Sequence, residues 1–282
     1  MAQGEGTGLF QYLKWGTSSA TTGTGLVTGG DLTINPQPRK RRGIGGQNIR
    51  RGGQIVPSGN AEMYVTKTNF ALLNYGMRAT YPYGALTSLA IEGGADQWGR
   101  AYAGARIEEG GLDYARGEGL KGSVKWGALS VAAASGGAQL TETNLDFEDY
   151  EFVIELEGAQ FGINALSIKW NNNLEWRAGA DTKAAGSLRR PTHHIYGPED
   201  LTVELTADRP FTDATLTLLT DLMASDLGIT AVGDNGTDTC TITLVNLIAG
   251  ENSHGFVDPT TGMTWKQSFV GDDAGSLTLN VA

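Results

Sequence analysis

The 282 residues, 40% hydrophobic and 18% charged, supply enough apolar material for a core and too little charge for a disordered polymer. A formal net charge of -10 disfavours nonspecific adherence to nucleic-acid phosphates, and the single cysteine, Cys240, excludes an intramolecular disulfide, a Cys/His zinc cluster and a CxxC motif. The length suits one large β domain with appended arms, and the 41 glycines, about twice average usage with no third-residue period, suit many turns between short strands.

The opening MAQGEGTGLFQYLKWG lacks the basic region and apolar run of a secretory signal, and no apolar stretch of about 20 residues occurs anywhere. Synthesis and folding in the cytoplasm are therefore expected. Residues 1 to about 54 are rich in Gly, Thr and Ser and are punctuated by Pro36 and Pro38, which reads as a long arm ahead of a domain spanning 55–282. Charge is asymmetric: residues 1–60 hold seven basic and two acidic residues, so a net +5 arm precedes a net -15 body. The basic runs Arg39-Lys40-Arg41-Arg42 and Arg50-Arg51 suit an arm that docks on the acidic body of a neighbouring copy better than a nucleic-acid patch.

Strand signals then recur at 61–68, 85–92, 101–108, 119–133, 150–157, 163–170, 201–207, 239–248, 262–270 and 276–281. In the seventh, Leu201, Val203 and Leu205 alternate with Thr202, Glu204 and Thr206, the pattern of a half-buried strand. One segment changes period. Leu218, Leu219, Leu222 and Met223 share one face of a helix, with Thr212 or Asp213 as N-cap and Gly228 beyond the end, which predicts one amphipathic helix near 212–224.

Catalytic signatures are weak. His193 and His194 are neighbours on a predicted strand, so their side chains point to opposite faces and do not chelate one metal together. The carboxylate clusters at 145–151, 199–200 and 272–273 carry no sign of two opposed walls of a sugar cleft. The run DNGTD at 234–238 falls short of a complete calcium loop and reads as an Asn-Gly hairpin turn. No GxSxG, Walker A loop or HExxH occurs, and GIGGQN at 43–48 has no βαβ unit around it. We therefore expect a non-enzyme with no cofactor and no metal. The six tryptophans read as core and interface anchors.

Three stretches carry a resemblance: FQYLKWGTSSATTGTG; ALTSLAIEGGADQWGRAYAGARIEEGGLDYARGEGLKGSVKWGALSV; and INALSIKWNNNLEWRAG followed by THHIYGPEDLTVELTADRPF. With the ending TCTITLVNLIAGENSHGFVDPTTGMTWKQSFVGDDAGSLTLNVA, they resemble the major tail tube protein of long-tailed, non-contractile bacteriophages, over most of residues 85–282. The tubes of contractile tails and of type VI secretion share that fold but are generally shorter. The resemblance implies a mainly β fold, two packed antiparallel sheets forming a sandwich or barrel with one flanking helix. It also implies subunits that close into rings, commonly hexamers, which stack into the tube through which DNA leaves the capsid. Its partners would be copies of itself and the tail terminator, tape-measure and distal tail proteins. DNA would pass the lumen without specific binding, and no membrane would be involved. The place would be the virion tail, assembled in the bacterial host cytoplasm. Interface candidates are Arg39, Arg41, Arg42, Arg50 and Arg51 in the arm, and Trp98 and Tyr102 beside the Gly-rich loop. A carbohydrate-binding or adhesion β-sandwich is the alternative.

Overall fold

A computed structural model describes residues 12–24, 26–36, 39–42, 48–51, 55–78, 84–95, 98–134, 140–160, 162–177, 193–208, 227–256 and 263–282. These residues are mainly strand: β1 Tyr12–Gly16, β2 Thr22–Thr24, β3 Val27–Pro36, β4 Arg39–Arg42, β5 Asn48–Arg51 and β6 Ile55–Tyr64 precede the helix α1, Lys67–Asn74. There follow β7 Leu89–Ala95, β8 Trp98–Ala115, β9 Lys121–Gly127, β10 Ser130–Ala134, β11 Phe152–Leu156, β12 Ala159–Gln160, β13 Ile163–Asn171 and β14 Leu174–Arg177. The last five are β15 His193–Tyr196, β16 Asp200–Asp208, β17 Leu227–Asp234, β18 Thr239–Phe256 and β19 Met263–Val281.

The 18-residue β8 organises the sheets. Its first part pairs with β7 and β10, and its second with β9 and β13. The change falls at Gly104, where an extra residue enters the ladder to β7 and the backbone turns to φ +64, a conformation that favours glycine. A Cβ there would also lie 2.8 Å from Leu129. Past this bend the ladder runs β8, β13, β16, β19, β18, β17, β11, with every pair antiparallel.

Two layers result because alternation puts one face of each strand inward. Leu112, Tyr114, Leu166 and Ile168 meet Ile154, Ala231 and Ile242 between the layers, and Tyr114 meets Phe152 edge-on at 5.5 Å. The fold is thus a sandwich-like, mainly β architecture, and no closed barrel forms among the described residues. On β16 the expected alternation holds: Leu201, Val203 and Leu205 are buried while Thr202 and Glu204 are exposed.

Two elements differ from the sequence expectation. The range 61–68 is not one strand, because β6 ends at Tyr64 and Thr66 caps α1. Asn69 N–H donates to Thr66 Oγ1 at 3.4 Å and Thr66 N–H donates to Asn69 Oδ1 at 2.7 Å, a reciprocal cap that opens the helix. Glu142 closes over this end, accepting from the hydroxyls of Thr66 and Thr68 at 3.4 and 3.2 Å. The helix expected near 212–224 lies outside the described residues. Finally, the range 1–54, read as an arm, contains β1, whose Tyr12, Leu13 and Trp15 are fully buried by pairing with β7.

Candidate assembly surfaces

The part of the N-terminal range that carries the positive charge is a hairpin. β3 pairs with β6 from Val27 opposite Met63 to Pro36 opposite Ile55, and β4 then pairs with β5 from Arg39 opposite Arg51 to Arg42 opposite Asn48. The two ladders are nearly in one register, so β4 and β5 form the outer part of the same hairpin. Residues 39–51 hold six cations and no carboxylate. Arg39 stands opposite Arg51 and Lys40 opposite Arg50, and like charges directly opposite destabilise an isolated ladder.

A second surface has the reverse character. β11 is an outer strand, joined to β12 only through Glu155 and Leu156. The segment 145–157 around it holds six carboxylates, Asp146, Glu148, Asp149, Glu151, Glu155 and Glu157, and no cation. None of the six forms an ion pair among the described residues. Within it Leu145 is 57% exposed, Tyr150 80% and Val153 47%. The outer face continues across β17 and β18 through the β-branched side chains of Thr230, Val232, Thr243 and Val245, whereas past the irregularity after Val245 the residues Ile248 and Val270 pair with each other beside Thr202 of β16. Ile248 and Val270 are 46% and 44% exposed.

A third region is buried and polar. Arg78, just beyond α1, donates from Nε to Asn172 Oδ1 at 2.9 Å and from its terminal nitrogen to the Asn172 carbonyl, and its Nε lies 3.9 Å from Glu199. Asn172 in turn donates to the carbonyls of Gly76 and Ile107 at 2.8 and 3.1 Å. Both charged side chains are nearly inaccessible, at 0% and 4% exposure. Burial pushes the Glu199 carboxyl up to about 7 even though Arg78 draws it down. Nearby, burial also raises Glu108 above the ordinary carboxylate range, against the Trp176 indole N–H it accepts at 2.5 Å. This cluster fastens α1, β8, β13, β14 and the approach to β16. No local sequence pattern marks it, since Arg78, Asn172 and Glu199 are brought together only by the fold.

The residues singled out from the sequence separate clearly. Trp98 is 49% exposed and remains available to a neighbour. Tyr102 is not: it is 1% exposed, edge-on to Trp126 at 5.9 Å, with its phenol pushed up to about 12 by burial. It belongs to the core because β7, β9 and β10 surround the inward face of β8. The backbone register of Arg39, Arg41, Arg42, Arg50 and Arg51 is as given above. His193 and His194 pair with Arg177 and Trp176, and the His194 ring lies against Trp176 at 5.5 Å between ring centres, tilted by 53°. In the 234–238 turn, Asn235 Oδ1 accepts from the N–H groups of Thr237 and Asp238 at 3.0 and 2.8 Å, while Asp238 is paired to Lys67 at 2.7 Å. These contacts make it a self-satisfied hairpin turn between β17 and β18. Among the described residues, no group of three or more His, Cys, Asp or Glu side chains is placed to hold a metal ion. Nor is any helix among them long and apolar enough to cross a membrane.

No individually curated protein matches the chain. The family described as phage tail tube protein matches residues 11–280, which takes in β1, the basic hairpin and both layers of the sandwich. By that match, over nearly its whole length, the chain belongs to the phage tail tube protein family, whose members are structural components of the virion tail.

Proposed function

We propose that the chain oligomerises into rings, hexameric in the simplest closure, which stack into a tube that conducts DNA during ejection into the host. The family match is the observation that carries this reading. Open sheet edges support it: among the described residues, β3 pairs only with β6 and β10 only with β8. Such edges invite pairing with another chain, and a head-to-tail contact that closes makes a ring. Ring assembly takes place in the host cytoplasm, and the tail terminator, tape-measure and distal tail proteins meet the finished tube.

Within that assembly the basic hairpin bearing Arg39, Arg41, Arg42, Arg50 and Arg51 docks on a neighbouring copy, and Trp98 contributes to a subunit contact. The outer face of β6, β9, β8, β13 and β16 is suited to face DNA. A shallow depression there is bordered by Glu62, Glu109, Lys125, Lys169 and Asp200. Lys125 is held by Glu109 at 2.5 Å and, on the adjoining β19, Lys266 by Glu204 at 2.8 Å, so two of the cations at this face are occupied by carboxylates. A net acidic wall with occupied lysines lets phosphates pass without adhering.

The test is assembly after charge reversal. Arg41→Glu with Arg42→Glu should leave a folded monomer and remove pelletable tubes at physiological salt. Unchanged tube yield would refute the hairpin's role. The carbohydrate-binding alternative predicts instead a monomer or small oligomer retained on a glycan array.

A further inference from the structure

Resting on the tube reading, we infer that the surface receiving the basic hairpin is the outer face of β11 and its neighbours, from Tyr150 and Val153 across β17 to Thr243 and Val245. The occupant is the β4–β5 hairpin of a second copy.

Charge supplies the first argument. Six cations between residues 39 and 51 meet six carboxylates between 145 and 157, each set free of the opposite sign. The body carries the same sign elsewhere, so two copies approach against net repulsion unless opposite patches meet. The carboxylates around β11 are not committed to any ion pair among the described residues, whereas Glu109 and Glu204 already hold lysines.

Shape and chemistry agree. Four paired positions on the hairpin span roughly 13 Å, and the four strands from β11 to β19 span roughly 15 Å. The outward residues of β17 and β18 in the middle of this face, Thr230, Val232, Thr241, Thr243 and Val245, bear no charge, and Glu155 stands at its rim opposite Thr230. Arginine side chains suit such a surface because their aliphatic stems cover apolar groups while the guanidinium heads reach outward. Tyr150, at 80% exposure, offers a ring for a guanidinium to stack on, and the carboxylates beside it complete the ion pairs.

The experiment uses the full-length chain and two readouts. Tubes are first assembled from a mixture of Ile49→Cys subunits and Val153→Cys subunits and mildly oxidised. Cys240 is buried and its thiol is raised to about 12 by burial, so it contributes little background. Disulfide-linked dimers should appear in the mixture and be absent from either variant alone. The second readout keeps the test valid if a cysteine variant fails to fold. Glu148→Lys with Glu155→Lys should lower tube yield by about tenfold or more, and adding Arg41→Glu and Arg42→Glu should restore it to within about twofold of the wild type. Tubes that form without cross-links, and a charge reversal that the swap does not rescue, would overturn this docking site while leaving the tube reading intact. A wild-type chain that never assembles would remove the tube reading and this inference with it.

Discussion

The sandwich and the basic hairpin are both built from antiparallel strands, yet they solve opposite problems. In the core, Trp15, Trp126 and Trp170 are almost wholly buried, and the Trp170 indole donates to the Gly76 carbonyl at 3.1 Å. In the hairpin, cations stand opposite cations, and its ladder forms a separate two-stranded sheet. The first region is stabilised within one chain by apolar burial. The second concentrates six cations without a carboxylate, the feature that the proposed docking on a neighbouring copy uses. Substitutions in the two regions should therefore separate folding from assembly.

The largest effect is expected in the core. Trp170→Ala should cost about 3–5 kcal/mol by leaving a cavity against Gly110 and Gly76, read as a lower denaturation midpoint in urea. Arg78→Met comes next. It leaves Glu199 buried without the Arg78 partner and should cost about 3 kcal/mol or more. A smaller loss, about 1–3 kcal/mol, should follow Gly104→Val, which forces a β-branched residue to φ +64 against Leu129. In contrast, Arg41→Glu with Arg42→Glu should change monomer stability by no more than about 0.5 kcal/mol while removing tubes. If the hairpin variant unfolds as readily as the core variant, the division between the regions is wrong.

Acidity offers a finer probe. The folded-state pKa of Glu199 is raised to about 7, above its unfolded value, so the folded chain holds this proton more tightly. The stability linked to it is fully present below the unfolded pKa and is lost as pH rises through about 7. Glu199→Gln should flatten that part of the pH profile in denaturation experiments. A profile identical to the wild type would show that Glu199 is not the titrating group. Smallest of all, Cys240 should resist thiol reagents in the native chain and react only on unfolding, consistent with its burial.

How much of this was legible in the sequence depended on the range of the forces. The alternation in β16 announced both strand and facing, because half-burial imprints a period of two. The charge asymmetry announced the hairpin's composition but not its pairing, which follows from the β3 to β6 register. β1 was hidden in a Gly, Thr and Ser-rich stretch, since its burial comes from Leu13 and Trp15 pairing with β7 about 80 residues later. α1 was hidden by its continuity with β6, although the Thr66 and Asn69 cap was there to be found. Two long strands, β18 and β19, were read as shorter pieces because bulges after Val245 and Ala249 interrupt their alternation. Of the proposed contact residues, Trp98 kept its exposure and Tyr102 did not, because strand neighbours rather than side-chain type decided the outcome.

Assembly itself is the central claim, and negative-stain electron microscopy of the purified chain across a concentration series, paired with light scattering, tests it most directly. Rings or hollow tubes of uniform width, with symmetry recoverable by averaging, are predicted. A chain that stays monomeric throughout the series, even when seeded with preformed tail tips, would contradict it.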